Sequence, residues 1–133
     1  MAAEQQLLAE ATGTQVYTAG QVIFKQGTPG HIMYVVQEGE VGIVYHDIVL
    51  EIVGPGGLLG EMALIDHSPR TASAIARTDC RVLPIDEHRF HVMVQETPDF
   101  ALNVMRTMAE RLRRMDHLSY PLMHYSRSED LLG

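Results

Sequence analysis

The sequence has one cysteine, little basic charge and no long apolar run, and each shortage excludes a class of protein. Cys80 is the only cysteine among 133 residues, so the chain can form neither an internal disulfide nor a cysteine-rich metal site. Lysine and arginine number 10 against 17 aspartate and glutamate, and the formal net charge of −7 argues against a nucleic-acid-binding surface. No apolar run could span a membrane and no signal peptide is recognisable, so we expect a reducing, cytoplasmic location.

The sequence also lacks the patterns that a metal-dependent barrel enzyme requires. Seven histidines are present, but none forms a His-x-His pair. His88 and His91 lie three positions apart on a predicted helix, where we expect both to be exposed. No Ser/His/Asp or Cys/His combination is recognisable. We therefore predict no metal ion, no cofactor, no catalytic residues and no enzymatic activity.

Short apolar runs separated by glycine turns dominate the first two thirds of the chain. The total length suits one domain with a proper core. We interpret the runs as strands at residues 16–17, 22–24, 33–36, 41–45, 49–53, 73–76 and 82–85. Many short strands joined by glycine turns favour a closed barrel or a jelly roll.

Helical patterns flank these strands on both sides. Residues 4–11 suggest a short N-terminal helix, and Asp86 is a candidate N-cap of a second helix. A longer helix begins near Thr97 and Pro98 and ends at Tyr120.

The sequence thus predicts one mainly β domain (α+β) over residues 1–133. Its barrel covers about 16–85, its C-terminal helices about 86–120, and its tail 121–133.

Three arginines cluster near the end of the long helix, at positions 111, 113 and 114. Glu110 and Asp116 flank this cluster, so its charge is locally balanced. We interpret the cluster as a solvated helix face rather than a binding surface.

One stretch, residues 59–73, combines groups that suit a small anion carrying a sugar. Glu61 and Arg70 stand nine positions apart, with a short helical turn and Pro69 between them. Arg70 can grip two phosphate oxygens with its planar fork. Backbone N–H groups at the start of a short helix face a phosphate. From spacing alone, Glu61 could equally be a first-turn helix residue favoured by the dipole.

This stretch resembles the phosphate-binding cassette of cyclic-nucleotide-binding domains. The matching motifs are Gly60-Glu61-Met62-Ala63-Leu64 and Pro69-Arg70-Thr71-Ala72-Ser73, with Leu59 where the family usually has an aromatic residue. Upstream, Phe24-Lys25-Gln26-Gly27 and the glycine spacing around Gly39 are also similar, so the resemblance covers about residues 16–118.

The resemblance implies a β-roll or jelly-roll barrel and a role for each matching residue. Glu61 would bind the ribose 2′-hydroxyl and Arg70 the exocyclic phosphate oxygens. Further phosphate donors would be the backbone N–H groups of Gly60, Met62, Ala63, Thr71 and Ala72. Thr71 fits either base, so we expect cAMP first and cGMP as the alternative.

In the family the last helix folds over the base, which places Arg114, Met115 and Asp116 as a possible lid. The short tail cannot hold a DNA-binding motif, so we expect a regulatory sensor whose output comes from an effector protein or a homodimer. The alternative is an interaction or dimerisation module with a vestigial pocket, which would use the apolar stripe of the long helix.

Overall fold

The computed structural model describes residues 13–114, which contain eight strands and three helices. The strands are β1 (Gln15–Tyr17), β2 (Val22–Phe24), β3 (Met33–Glu38), β4 (Val41–Tyr45), β5 (Ile48–Val53), β6 (Leu58–Leu59), β7 (Ser73–Ala76) and β8 (Cys80–Ile85). The helices are α1 (Glu61–Asp66), α2 (Glu87–Glu96) and α3, which is helical over residues 99–114. The predicted N-terminal helix, the end of the long helix and the tail lie outside the described residues.

The strands form two antiparallel four-stranded sheets. One has the order β1-β8-β3-β6 and the other β2-β7-β4-β5. The prediction of a mainly β jelly roll is confirmed, but the prediction of a closed barrel is wrong. In the part of the chain described here, every strand pairs within its own sheet, and the edge strands β1, β2 and β6 have only two or three residues. The two sheets therefore face each other as an open roll.

Seven of the eight strands lie where the apolar runs predict them, some with longer ends. The strand that the sequence does not predict is β6, which pairs with Tyr34 and Val35 of β3. Two consecutive leucines have no alternation to reveal a strand. This strand matters because it leads directly into α1.

Two apolar clusters hold the fold together. Between the sheets, Val36, Val41, Leu59 and Val82 are fully buried. The second cluster joins the first sheet to the helices and contains Met33, Leu58, Leu64, Ile85 and Val104, with Phe90, Phe100 and Met108 packed against it. Because α1 and α3 both contribute to this second cluster, the last helix lies next to the predicted cassette.

The start of α2 follows the sequence prediction. The Asp86 side chain accepts a hydrogen bond from the Arg89 N–H at 2.7 Å, as an N-cap does. His88 and His91 are exposed on this helix, as predicted. None of the helices within residues 13–114 is long and apolar enough to cross a bilayer.

Candidate functional site

The helix α1 starts from a backbone conformation that favours glycine. Gly60, its N-cap, has φ 71° and ψ 22°, in the left-handed region. Glu61 follows as the first helical residue and is 3% exposed. Leu59, which precedes the glycine and stands where the family usually has an aromatic residue, is fully buried between the sheets.

The Arg70 backbone is fixed by the turn that follows β2. Its N–H donates to the Thr28 carbonyl at 2.9 Å, and its carbonyl accepts from the Gly27 N–H at 2.8 Å. These two bonds direct the Arg70 side chain into the protein, where the residue is 6% exposed.

The Arg70 guanidinium is held by neutral groups, and one of its three nitrogens makes no hydrogen bond. Nη2 donates to the Ile32 carbonyl at 2.7 Å, and Nη1 donates to the Gly60 carbonyl at 3.3 Å. The central carbon of the guanidinium, Cζ, lies 4.2 Å from the centroid of the Phe24 ring and makes a cation–π contact. The buried Nε has no hydrogen-bond partner. Within residues 13–114, no carboxylate forms an ion pair with Arg70.

Two glycines make room for this guanidinium. A Cβ added at Gly30 would overlap Nε and Cζ of Arg70, and one added at Gly60 would overlap Nη1. The backbone therefore approaches the guanidinium more closely than any other residue type would allow.

The pKa of Arg70 is lowered, because the effect of burial outweighs the opposite effects of the nearby Tyr34 and Glu61. Arginine nevertheless stays charged in proteins, so the site contains a buried cation. Such a charge is costly unless an anion approaches it.

Glu61 is paired with the last helix. Its Oε2 accepts a hydrogen bond from Arg111 Nη1 at 2.6 Å, and the two side chains are 3% and 14% exposed. This contact corrects the prediction that the arginine cluster is a solvated helix face. Arg111 lies on the same face of α3 as the buried Val104, because seven residues bring a helix back to nearly the same side.

Arg111 also binds Glu51 of β5 along its other edge. Nε and Nη2 donate to Oε1 and Oε2 of Glu51, each at 3.1 Å, and Nη2 also reaches the Leu58 carbonyl at 2.5 Å. Arg114, half exposed, donates to Oε1 of Glu51 as well. Arg113 and Arg114 are both exposed, as predicted, so the prediction of a solvated face is wrong for Arg111 alone among the three clustered arginines.

The balance of charges around Glu51 sets its protonation. Burial raises the pKa of Glu51, but hydrogen bonds and charge from Arg111 and Arg114 outweigh burial, so the pKa is lowered. For Arg111, burial lowers the pKa, while Glu51 and Glu61 together raise it. Glu51 is therefore ionised at neutral pH, in a cluster of two carboxylates and two guanidinium groups.

The other predicted phosphate-binding positions line the same region. Met62 and Ala63 lie in the first turn of α1, where backbone N–H groups have no partner within the helix. Ala72 is buried and Thr71 exposed, between Arg70 and the start of β7. The predicted lid residues Met115 and Asp116 lie outside the described residues.

The sequence reasoning missed the roles of Glu51, Arg111, Gly30 and Phe24 in this site. Arg111 comes from α3, and Phe24 and Gly30 come from β2 and the loop that follows it, all far along the chain from the cassette. Glu51 lies in β5, ten positions before Glu61. The apolar spacing of α3 carried one usable signal, because it places position 111 on the buried face. No pattern in the sequence points to Glu51.

The fold and this site define a β-roll domain with a buried arginine at the end of its cassette segment. The model of the cyclic nucleotide-binding domain family matches residues 14–97. The chain belongs to this family.

Three similar proteins illustrate the range of the family. The cyclic AMP receptor protein of Thermus thermophilus is 34% identical over 107 residues, covering 77% of this chain and 50% of that protein. The crystal structure of Thermus thermophilus catabolite activator protein has a TM-score of 0.71 and 32% identity, covering 92% of this chain and 60% of that one.

A second structure, reported for a cyclic-GMP-dependent signalling pathway that regulates bacterial phytopathogenesis, has a TM-score of 0.65 and 27% identity. It covers 84% of this chain and 93% of that one. The chain spans about half the length of the curated bacterial regulators that it matches.

Proposed function

We propose that this chain binds a 3′,5′-cyclic mononucleotide as a regulatory sensor, with cAMP as the first ligand and cGMP as the alternative. The observation that carries this proposal is the buried Arg70 guanidinium, which has no carboxylate partner among the described residues and a free Nε donor. A cyclic phosphodiester carries one negative charge and two exocyclic oxygens. It would supply both the counter-charge and the missing acceptor.

Glu61 is the ribose ligand in this account. When phosphate bridges the 3′ and 5′ oxygens, the 2′-hydroxyl is the only ribose hydroxyl left free. Glu61 can accept its hydrogen bond, since Arg111 donates to Oε2 and leaves Oε1 without a bond from that guanidinium. Gly60, Met62, Ala63, Thr71 and Ala72 contribute backbone donors around the phosphate.

The base is assigned by similarity rather than by a side chain. The Thermus relative is named as a cyclic AMP receptor, while the second structure was reported for a cyclic-GMP-dependent pathway. Thr71 is compatible with both bases. We place cAMP first because that relative matches at higher identity.

Closure of the last helix over the base completes the mechanism. α3 already touches the site through Arg111, and Arg114, the first of the three predicted lid positions, lies about one turn further along the helix. Met115 and Asp116 are the other two positions. A ligand can drive closure only by binding the closed arrangement more tightly than the open one. The resulting change in α3 would be passed to an effector protein.

The test is calorimetric titration with cAMP and cGMP of three proteins: wild type, Arg70→Lys and Arg77→Lys. Lysine keeps the charge of Arg70 but loses its fork, so we expect affinity to fall roughly 10- to 100-fold, the cost of one hydrogen bond to a charged group. The exposed Arg77 provides the matched control and should bind like wild type. Equal binding by all three proteins would contradict the proposed phosphate site, and no binding by wild type would reject the function.

A second candidate function, self-association, is favoured by the outer face of α3. Leu102, Met105 and Leu112 are 41%, 57% and 46% exposed. At about 100° per residue they lie within one quarter of the helix circumference, away from the buried Val104. Met108, in contrast, packs into the helical core. A homodimer through this exposed stripe is compatible with nucleotide binding.

A further inference from the structure

The most unusual arrangement at this site is the division of Arg111 between two carboxylates. Its Nε–Nη2 edge faces both oxygens of Glu51, and only Nη1 reaches Glu61. A guanidinium and a carboxylate otherwise tend to pair through two parallel hydrogen bonds. Here that two-bond geometry is formed with Glu51, and Glu61 receives a single bond.

We propose that Glu51 is a positioning residue for ribose recognition: it holds the two-donor edge of Arg111 away from Glu61 and so keeps one Glu61 oxygen available to the 2′-hydroxyl. This inference rests on the proposed function, and it concerns a residue of β5 that lies ten positions before the cassette glutamate. Glu51 acts through Arg111 and does not itself touch the ligand.

Three observations support this role. Arg111 is buried to 14% side-chain exposure and makes four contacts: two to Glu51, one to Leu58 and one to Glu61, so its orientation is tightly defined. Arg114 binds Glu51 from the same helix and supports the position of that carboxylate. Glu61, at 3% exposure, has little solvent to compete with a second bond from Arg111.

Removal of the Glu51 charge should reverse this division. Glu61 would then be the strongest acceptor near Arg111, and the guanidinium could turn its two-donor edge toward both Glu61 oxygens. The 2′-hydroxyl would have to displace one of those charge-assisted bonds. Discrimination between a ribose and a deoxyribose would therefore fall, even where the phosphate still binds.

The experiment measures the affinity ratio for cAMP over 2′-deoxy-cAMP by calorimetry on the full chain. Wild type should prefer cAMP by about tenfold or more, the cost of one hydrogen bond to a carboxylate. Glu51→Gln should bring this ratio close to one. The matched control is Glu38→Gln, an exposed carboxylate on β3 with the same change in net charge, and it should keep the wild-type ratio.

A double variant separates positioning from a structural role. Lysine has one ammonium and cannot form the two-bond fork with Glu61, so Arg111→Lys should make the ratio independent of residue 51. Glu51→Gln combined with Arg111→Lys should then match Arg111→Lys alone. If Glu51→Gln loses its folded circular dichroism spectrum, Glu51→Asp replaces it, and it should give an intermediate ratio because the shorter side chain retracts from Arg111.

The outcomes distinguish this inference from the proposed function. A wild-type ratio that survives in Glu51→Gln overturns the role of Glu51 and leaves nucleotide binding intact. If Glu51→Gln lowers the ratio equally with and without the Arg111→Lys substitution, the role is also overturned, since the effect would then not pass through the fork. Failure of wild type to bind either nucleotide rejects the function and the inference together.

Discussion

At the scale of single residues, the proposed phosphate site centres on the buried guanidinium of Arg70. Carbonyl groups of Ile32 and Gly60 and the face of Phe24 hold Arg70, while its Nε stays unused. Because neutral groups hold the cation, its charge remains available to an anion. In the proposed function, the bound phosphate offsets the cost of burying this charge.

Gly30 provides a direct test of this placement. Replacement of Gly30 by alanine adds a Cβ that overlaps Nε and Cζ of Arg70, so the guanidinium must move. We expect cAMP affinity to fall by about tenfold or more, equivalent to one charge-assisted hydrogen bond. Calorimetric titration measures this loss.

Gly54→Ala is the control for this substitution. A Cβ at Gly54 meets nothing within 4 Å, so its affinity for cAMP should stay at the wild-type value. If Gly30→Ala binds as tightly as Gly54→Ala, the close packing around Arg70 is not needed for binding.

The predictability of individual site residues follows their distance along the chain. Glu61 and Arg70 belong to one continuous motif, so a linear pattern could identify both. Glu51 and Arg111 are 60 positions apart and meet only because α3 packs against α1 and the first sheet. The local sequence pattern predicts that Arg111 is exposed to solvent, because charge clusters on helices are usually solvated. Tertiary packing overrides that tendency here and buries Arg111 against Glu61.

At the scale of elements, α3 is held by two kinds of contact along its length. Its first three turns pack through Phe100, Val104 and Met108 into the helical core. Its last described turn is held by the ion pairs of Arg111 and Arg114 with Glu51. The end nearest the proposed lid therefore depends on electrostatics, which pH and ligand can change.

The ion pairs at the end of α3 predict how acid affects this helix. The pKa of Glu51 is lowered in the folded state. Burial raises it, but the combined effect of Arg111 and Arg114 is larger and lowers it. The contribution of Glu51 to stability is therefore fully present above the pKa of a glutamate in the unfolded chain, about 4.3, and is lost as pH falls through the lower pKa of the folded state. Glu51→Gln lacks this contribution at every pH.

The measurement is the free energy of urea unfolding of wild type and Glu51→Gln across this range. We expect a difference of about 1 kcal/mol that is constant well above the pKa of an unfolded glutamate, about 4.3, and shrinks toward zero as pH falls below it. A difference that persists unchanged in acid would mean that Glu51 stabilises the protein without its charge.

At the scale of the whole molecule, the two sheets and three helices share two cores. Alternation and glycine turns predict most strands, because the buried and exposed faces of a sheet leave a period of two in the sequence. Strand order leaves no such mark, so the open pair of sheets could not be told from a closed barrel. The sequence does not predict β6 either, because a strand of two residues is too short to show alternation.

The exposed stripe of α3 predicts self-association of the whole molecule. We expect wild type to sediment as a dimer and Met105→Glu to shift toward monomer, because the substitution places a charge in an apolar contact. Asn103→Glu adds the same charge at an exposed position of α3 outside the stripe and should remain dimeric. Monomeric wild type would remove the case for this interface.

The central claim is that the free Nε of Arg70 binds the cyclic phosphate. The most direct measurement is a ¹H–¹⁵N spectrum of the arginine Nε–H groups during titration with cAMP, with the Arg70 signal assigned by its absence from Arg70→Lys. We predict that this signal shifts strongly and saturates with the calorimetric affinity. An Arg70 signal that stays in place while the protein binds cAMP would contradict the account.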